Sequence, residues 1–159
     1  MTTPERRLLE EYVTQGKLMQ VATLDEHRSP ALCHVWYRPA FRPDRLYFIS
    51  RWDRDHSVNI RRDGQVAGGI VAMPLEGLGQ KVRGVTFKGH AIELPKSNVE
   101  AELEGFFTRW PSARDVLTAE RLGRGETPSR LYCITVSEWV LFDEEHFPQQ
   151  PRRILEPEQ

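Results

Sequence analysis

The sequence has little of several things, and each shortage removes a class of function. Two cysteines in 159 residues, Cys33 and Cys133, provide no disulfide framework and no spacing for a thiolate metal site. Both lie in apolar, strand-like runs and read as buried free thiols in a reducing compartment; a bridge would need their two strands to lie side by side. No charge of one sign dominates, since 22 Lys and Arg stand against 23 Asp and Glu. Such a balance gives no electrostatic footprint for nucleic acid or for an anionic membrane. No run is long and apolar enough to span a bilayer, and the first residues lack the basic-then-apolar pattern of a secretion signal. The expectation is a cytoplasmic protein. No repeat, linker or low-complexity block interrupts the chain. One domain is therefore expected over residues 1–147, with an extended or disordered tail over 148–159 that carries three prolines.

What is present is a regular succession of apolar runs. Residues 4–16 carry Leu8, Leu9, Tyr12 and Val13 at helical spacing, opened by Pro4 and closed by Gly16. Strand patterns follow at 17–24 and 30–37, joined by a link short enough for an antiparallel hairpin. A segment with two prolines, 38–44, reads as a turn before a third strand at 46–50. Further strands read at 65–73, 80–94 and 130–143. Their internal glycines, among them Gly68, Gly69, Gly84 and Gly89, suit a bulge, a close backbone approach or the bend that closes a small barrel. Val99, Leu103, Phe106, Phe107 and Trp110 share one face of a helix over 95–110, and 112–122 suits a further short helix. This order predicts an α+β fold, an antiparallel six-stranded barrel with helices packed outside.

One stretch organises the rest: Arg45–Gly64, RLYFISRWDRDHSVNIRRDG. It reads as a strand, a short turn and a short helix, with Asp53 a candidate cap and Gly64 just past the end. Such a junction aims backbone N–H groups and the positive end of a helix dipole at the strand's exit. Ser50, Arg51, Arg54 and His56 cluster there, and each can donate to a phosphate oxygen. A solvated turn before an ordinary capped helix would use the same residues, so local chemistry makes this a candidate anion site without deciding it.

The element order resembles the pyridoxamine-phosphate-oxidase-like split barrels, as do LMQVATLDEHRSPALCHVWY, LYFISRWDRDHSVNI and KVRGVTFKGHAIEL. Those proteins bind flavin mononucleotide (FMN), usually at a homodimer interface. The resemblance covers residues 5–145 and implies a split barrel, FMN as cofactor and a second copy as partner. It implies that Val21, Ala22 and Thr23 lie near the flavin, and that His34, Val35, Trp36 and Tyr37 contact its ring and ribityl chain. Ser50 and Arg51 match positions that receive the phosphate, and His56 stands where many members place a phosphate-binding lysine. Gln80 and Arg83 match the long strand that reaches the ring from across the dimer, and Trp139 matches an aromatic of the last strand. Structural roles are open for the same residues: Trp36 and Trp139 equally suit core filling, Arg83 a surface ion pair, and His34 a satisfied strand histidine.

The sequence also departs from that pattern. Histidine at 56 is neutral near pH 7 unless its pKa is raised. Ala31 and Leu32 stand where many members carry a phosphate-binding arginine, and no C-terminal Arg-x-His follows, which argues against synthesis of a B6 vitamer. Two functions remain in view. One is an FMN-dependent oxidoreductase acting on an unknown small molecule, in which the flavin carries the chemistry and no dedicated nucleophile is needed. The other is a non-catalytic module that carries flavin or haem; haem would need an axial ligand from His34, His56 or His90. A barrel that keeps the fold without its ligand is the blandest outcome.

Overall fold

The computed structural model, which describes residues 1–159, is built around one long strand, β7 (Ser129–Asp143). It pairs antiparallel with β6 (Arg83–Glu93) along one edge. Along the other it pairs with β4 (Arg45–Arg51) and then, beyond β4, with β8 (Arg152–Leu155). From β6 the sheet continues through β5 (Gln65–Val71) and β1 (Leu18–Leu24) to β2 (Pro30–Trp36); from β4 it continues to β3 (Arg38–Ala40). The sheet curls into an open barrel in which the end strand β2 comes near β4, one strand in from the other end, without pairing.

The six strands expected from the sequence are all present, and two short ones join them. β3 falls in the proline-containing segment that reads as a turn. It is an edge strand, where the missing N–H of Pro39 interrupts no inner ladder. β8 lies in the expected tail, and its four residues are too few for an alternation signal. Beyond it the chain is held again: the Asp44 N–H donates to the Glu158 carbonyl at 2.9 Å, and the Glu158 N–H to the Asp44 carboxylate at 3.2 Å.

Helices close the two ends of the barrel. At one, α1 (Pro4–Gln15) drives Leu9, Tyr12 and Val13 into a core shared with Met19, Ile70 and Trp139. At the other, α2 (Asp55–Arg62) is fixed by Asn59, which donates to Thr23 Oγ1 at 3.0 Å, and by Ser57 Oγ, which donates to the Arg51 carbonyl at 2.7 Å. Asp53 does not cap α2; it pairs with Arg51 at 3.0 Å, and Arg54 occupies the cap position. Outside the barrel, α3 (Glu100–Arg109), a 3-10 helix (Pro111–Asp115) and α4 (Ala119–Gly123) follow in turn. Leu103, Phe106 and Phe107 of α3 form a second apolar cluster with Tyr47 and Leu131 of β4 and β7.

The strand glycines divide their work. The register shifts at Lys88/Gly89, so the bulge sits there. Gly68 instead allows a close approach: a Cβ would overlap the Phe87 ring and the Gln20 carbonyl oxygen. Gly68→Ala is expected to cost about 1–3 kcal/mol through overpacking. Urea unfolding reads this directly, and an unchanged midpoint would mean that both the Phe87 ring and the β1 backbone at Gln20 give way.

Candidate functional site

The split between β2 and β4 holds a cavity of about 660 Å³. Its polar end is the exit of β4 and the start of α2, where Ser50, Arg54 and His56 line it. Ser50 Oγ and His56 Nε2 lie 2.7 Å apart in a hydrogen bond. Burial lowers the His56 pKa below its ordinary value; the nearby Arg54 charge pushes the same way, and Asp55 opposes them only in part. His56 is thus neutral at pH 7, its Ser50 bond running in whichever direction its tautomer allows. The apolar end is walled by Trp36, Phe106, Trp110, Ala113 and Val116, with His34 and Val35 between the two ends. No carboxylate lines the cavity. Polar donors at a helix start joined to an aromatic slot suit a flat ligand with an anionic group at one end.

No protein-family model matches the chain, and no curated protein does. Solved structures do. A heme-binding protein from Mycobacterium smegmatis superposes with a TM-score of 0.78 at 13% identity, over 98% of this chain and 59% of that one. A protein from Clostridium acetobutylicum, related to general stress protein 26 and of the pyridoxinephosphate oxidase family, superposes at 0.64 and 13% identity over 97% and 96%. The fold is the pyridoxamine-phosphate-oxidase-like split barrel. An FAD-binding protein from Mesorhizobium loti superposes at 0.60 and 14% identity over 82% of this chain and 86% of that one. At such identities the likeness concerns the fold, and this chain spans only 59% of the Mycobacterium protein.

Within this split barrel, the residues singled out by the sequence separate into three groups. His34, Val35, Trp36, Ser50 and His56 line the cavity together. Arg51 stands beside it, exposed and tied to Asp53. The others lie elsewhere in the chain. Val21 and Thr23 are buried in the barrel wall, and Ala22 between them faces outward, half-exposed. Tyr37 is buried and donates to the Val13 carbonyl at 2.6 Å. Trp139 is fully buried and donates its indole N–H to Asp44 at 2.7 Å. Arg83 pairs with Glu145 at 3.3 Å, and Gln80 donates to the Pro74 carbonyl in the loop before β6.

The cavity also has walls that sequence patterning assigned to the core. Phe106 and Trp110 belong to the apolar stripe of α3, and Ser112, Ala113 and Val116 come from the turn that follows. Pro111, directly after Trp110, marks where the helix must end. Which neighbour the stripe faces is a tertiary fact that no local pattern carries. Arg54 was legible as a donor at the junction, and the cavity includes it.

Proposed function

We propose that the protein binds FMN in the split and works as a flavin-dependent oxidoreductase on a small molecule. The observation that carries this reading is the single cavity with a donor cluster at the start of α2 and an aromatic slot at its other end. The donor set fits a phosphate monoester: Ser50 Oγ, the Arg54 guanidinium, His56 and the first-turn N–H groups of α2. When bound, FMN supplies electron or hydride transfer. The chain's own groups hold the phosphate, wall the ring and exclude water. The test is a visible absorption spectrum after loading with FMN and removing the unbound part. A retained two-banded flavin spectrum supports the reading, and a colourless protein sinks it. Arg54→Ala is expected to weaken FMN binding more than Arg51→Ala, because Arg51 is already engaged by Asp53.

A haem carrier is the second reading. It is favoured by His34 and His56 lining the same cavity, whereas His90 lies outside it. A sharp red-brown band on haem titration, lost in His34→Ala or His56→Ala, would move the weight there.

A second copy of the chain belongs to the first reading. On the outer face of the sheet, Ala22, Ala67 and Gly69 form a flat centre across β1 and β5. Leu32 and Trp36 of β2 border it, 66% and 57% exposed, as do Leu18 and Val71. Gln20 across from Gly69 and Lys88 across from Ala67 add polar groups, and a flat, mainly apolar sheet face that runs into a cavity wall at Trp36 suits a second copy that completes the site. Ala67→Arg puts a charge at its centre and is expected to yield a monomer with weakened FMN binding. Light scattering reads the first and equilibrium dialysis the second; a wild-type monomer at micromolar concentration would overturn the dimer. No helix of the chain is long and apolar enough to cross a membrane, and a cytoplasmic setting remains part of this proposal.

A further inference from the structure

Arg109 closes α3 without a carboxylate partner. Its guanidinium donates to the Tyr37 carbonyl at 2.9 Å and the Thr14 carbonyl at 3.0 Å, and also to the Gly16 carbonyl. These oxygens belong to the last residues of α1 and to the residue that leaves β2, so one planar fork ties three segments together. Its face stacks on the Tyr37 and Trp110 rings, at 5.4 and 5.2 Å. Trp110 is pinned a second time, since its indole N–H donates to the same Tyr37 carbonyl at 2.8 Å. Trp36 meets Trp110 edge to face with ring centres 5.3 Å apart, yet it is 57% exposed and its indole makes no hydrogen bond within the chain. One wall of the slot is therefore fixed at several points, and the other is held by a single aromatic contact. No charged side chain lines this end of the cavity.

We infer that Arg109 is a positioning residue that holds Trp110 as the rigid wall of a seat for a flat, uncharged ring, with Trp36 as the movable wall. The inference rests on the cavity being a ligand site and extends the FMN reading to the class of ring its apolar end accepts. Such a ring could be that of the cofactor or that of a co-substrate. Both present the same chemistry to the two tryptophans: a broad apolar face gaining stacking and burial. A ring that carries its own charge at this end meets no partner and is disfavoured.

The probe is menadione, an uncharged bicyclic quinone, titrated calorimetrically into apo and FMN-loaded protein. Wild type is expected to bind it saturably, and Trp36→Ala to weaken it about tenfold, the loss of one stacked ring. Trp36 is surface-exposed, so this variant keeps the fold, and the comparison is made where light scattering gives it the same oligomeric state as wild type. Arg109→Met is expected to weaken menadione similarly and to abolish the near-UV circular dichroism of the Trp36–Trp110 pair. Arg109→Lys should restore charge without the fork and recover only part of that signal. Competition between menadione and FMN would assign the seat to the cofactor ring, and simultaneous binding would assign it to a co-substrate; either supports the seat. Menadione affinity unchanged in both Trp36→Ala and Arg109→Met, or no saturable binding to wild type, overturns it. An Arg109→Met protein that keeps the tryptophan signal would overturn the positioning role even if it unfolds more easily. If FMN fails to bind while menadione still depends on both residues, the flavin reading falls and the seat stands.

Discussion

Asp44→Ala is expected to cost about 3–5 kcal/mol, the range for removing one partner of a buried ion pair. Asp44 is 2% exposed and accepts from four groups: the two Arg6 terminal nitrogens at 2.7 and 2.6 Å, the Trp139 indole at 2.7 Å and the Glu158 N–H. Arg6 is itself buried on α1, Trp139 lies at the centre of the barrel, and Glu158 ends the C-terminal segment. One carboxylate thus joins three parts of the chain that are far apart in sequence. Alanine strips both terminal nitrogens of the buried Arg6 of their acceptor, leaving its Nε on Glu10 at 2.7 Å, and orphans the indole N–H. Urea unfolding measures the loss; a value below about 1 kcal/mol would mean that water or Glu10 takes over the pairing. The double variant Arg6→Met, Asp44→Leu removes both charges and is expected to recover much of the stability, which separates the cost of an orphaned charge from the worth of the pair.

The same carboxylate gives the fold an acid limit. Burial alone would raise the Asp44 pKa, but hydrogen bonds from Arg6, Trp139 and the Glu158 N–H overcome it and hold the value below the ordinary 3.8. Asp143 behaves alike: burial opposes ionisation, while the Tyr12 hydroxyl at 2.5 Å, the His146 N–H and the His146 ring at 2.8 Å outweigh it. For groups depressed in the folded state, the stabilisation is complete above the unfolded pKa and is lost as pH falls through the folded one. Stability is therefore expected to start falling below about pH 6.5, where unfolded His56 takes up a proton that its buried folded form resists, and to fall more steeply below about 4 as the two carboxylates protonate. The fall should be shallower in Asp44→Asn.

The strands, their antiparallel order and the docked helices were legible because each rests on local pattern: apolar runs, turns and one amphipathic stripe. The junction at Ser50, Arg54 and His56 was legible for a related reason, since a strand exit and a helix start bring neighbours in sequence together in space. Trp110 was not legible as a cavity wall, because an aromatic on a helix stripe looks the same whether it meets core or cleft, and Val116 was not because it lies in the irregular segment after the 3-10 helix. Trp139 is the reverse case. The resemblance attached it to the ligand, and the structure has it beneath the barrel wall on Asp44. β8 escaped because its four residues on β7 carry no alternation signal, and the Glu158 contact because it depends on Asp44, a single acidic residue in a turn whose burial no pattern announces.

His56 sets the strongest expected dependence of the ligand site on pH. In the free protein its pKa is depressed by burial and by Arg54, so the imidazole is neutral at pH 7. A phosphate dianion beside it favours the charged form and raises that pKa on binding. Binding then takes up a proton. Between the free and bound pKa values, FMN affinity is expected to fall by up to about tenfold per pH unit as pH rises. Below about pH 6 the phosphate itself protonates and the gain levels off. The mutational signature follows. At pH 6, His56→Ala removes a charged hydrogen bond, expected to cost about 1.5–3 kcal/mol in affinity; at pH 8 it removes a neutral one, about 1 kcal/mol. His56→Lys places a charge that persists to about pH 10 in the same position, so its FMN affinity should be flat from about pH 7 to 8, where the phosphate is a dianion, and exceed wild type at the upper end. Calorimetric titration in two buffers of different ionisation enthalpy counts the proton taken up. A flat wild-type profile with no proton uptake would remove His56 from the phosphate site and leave the anion to Arg54, Ser50 and the start of α2.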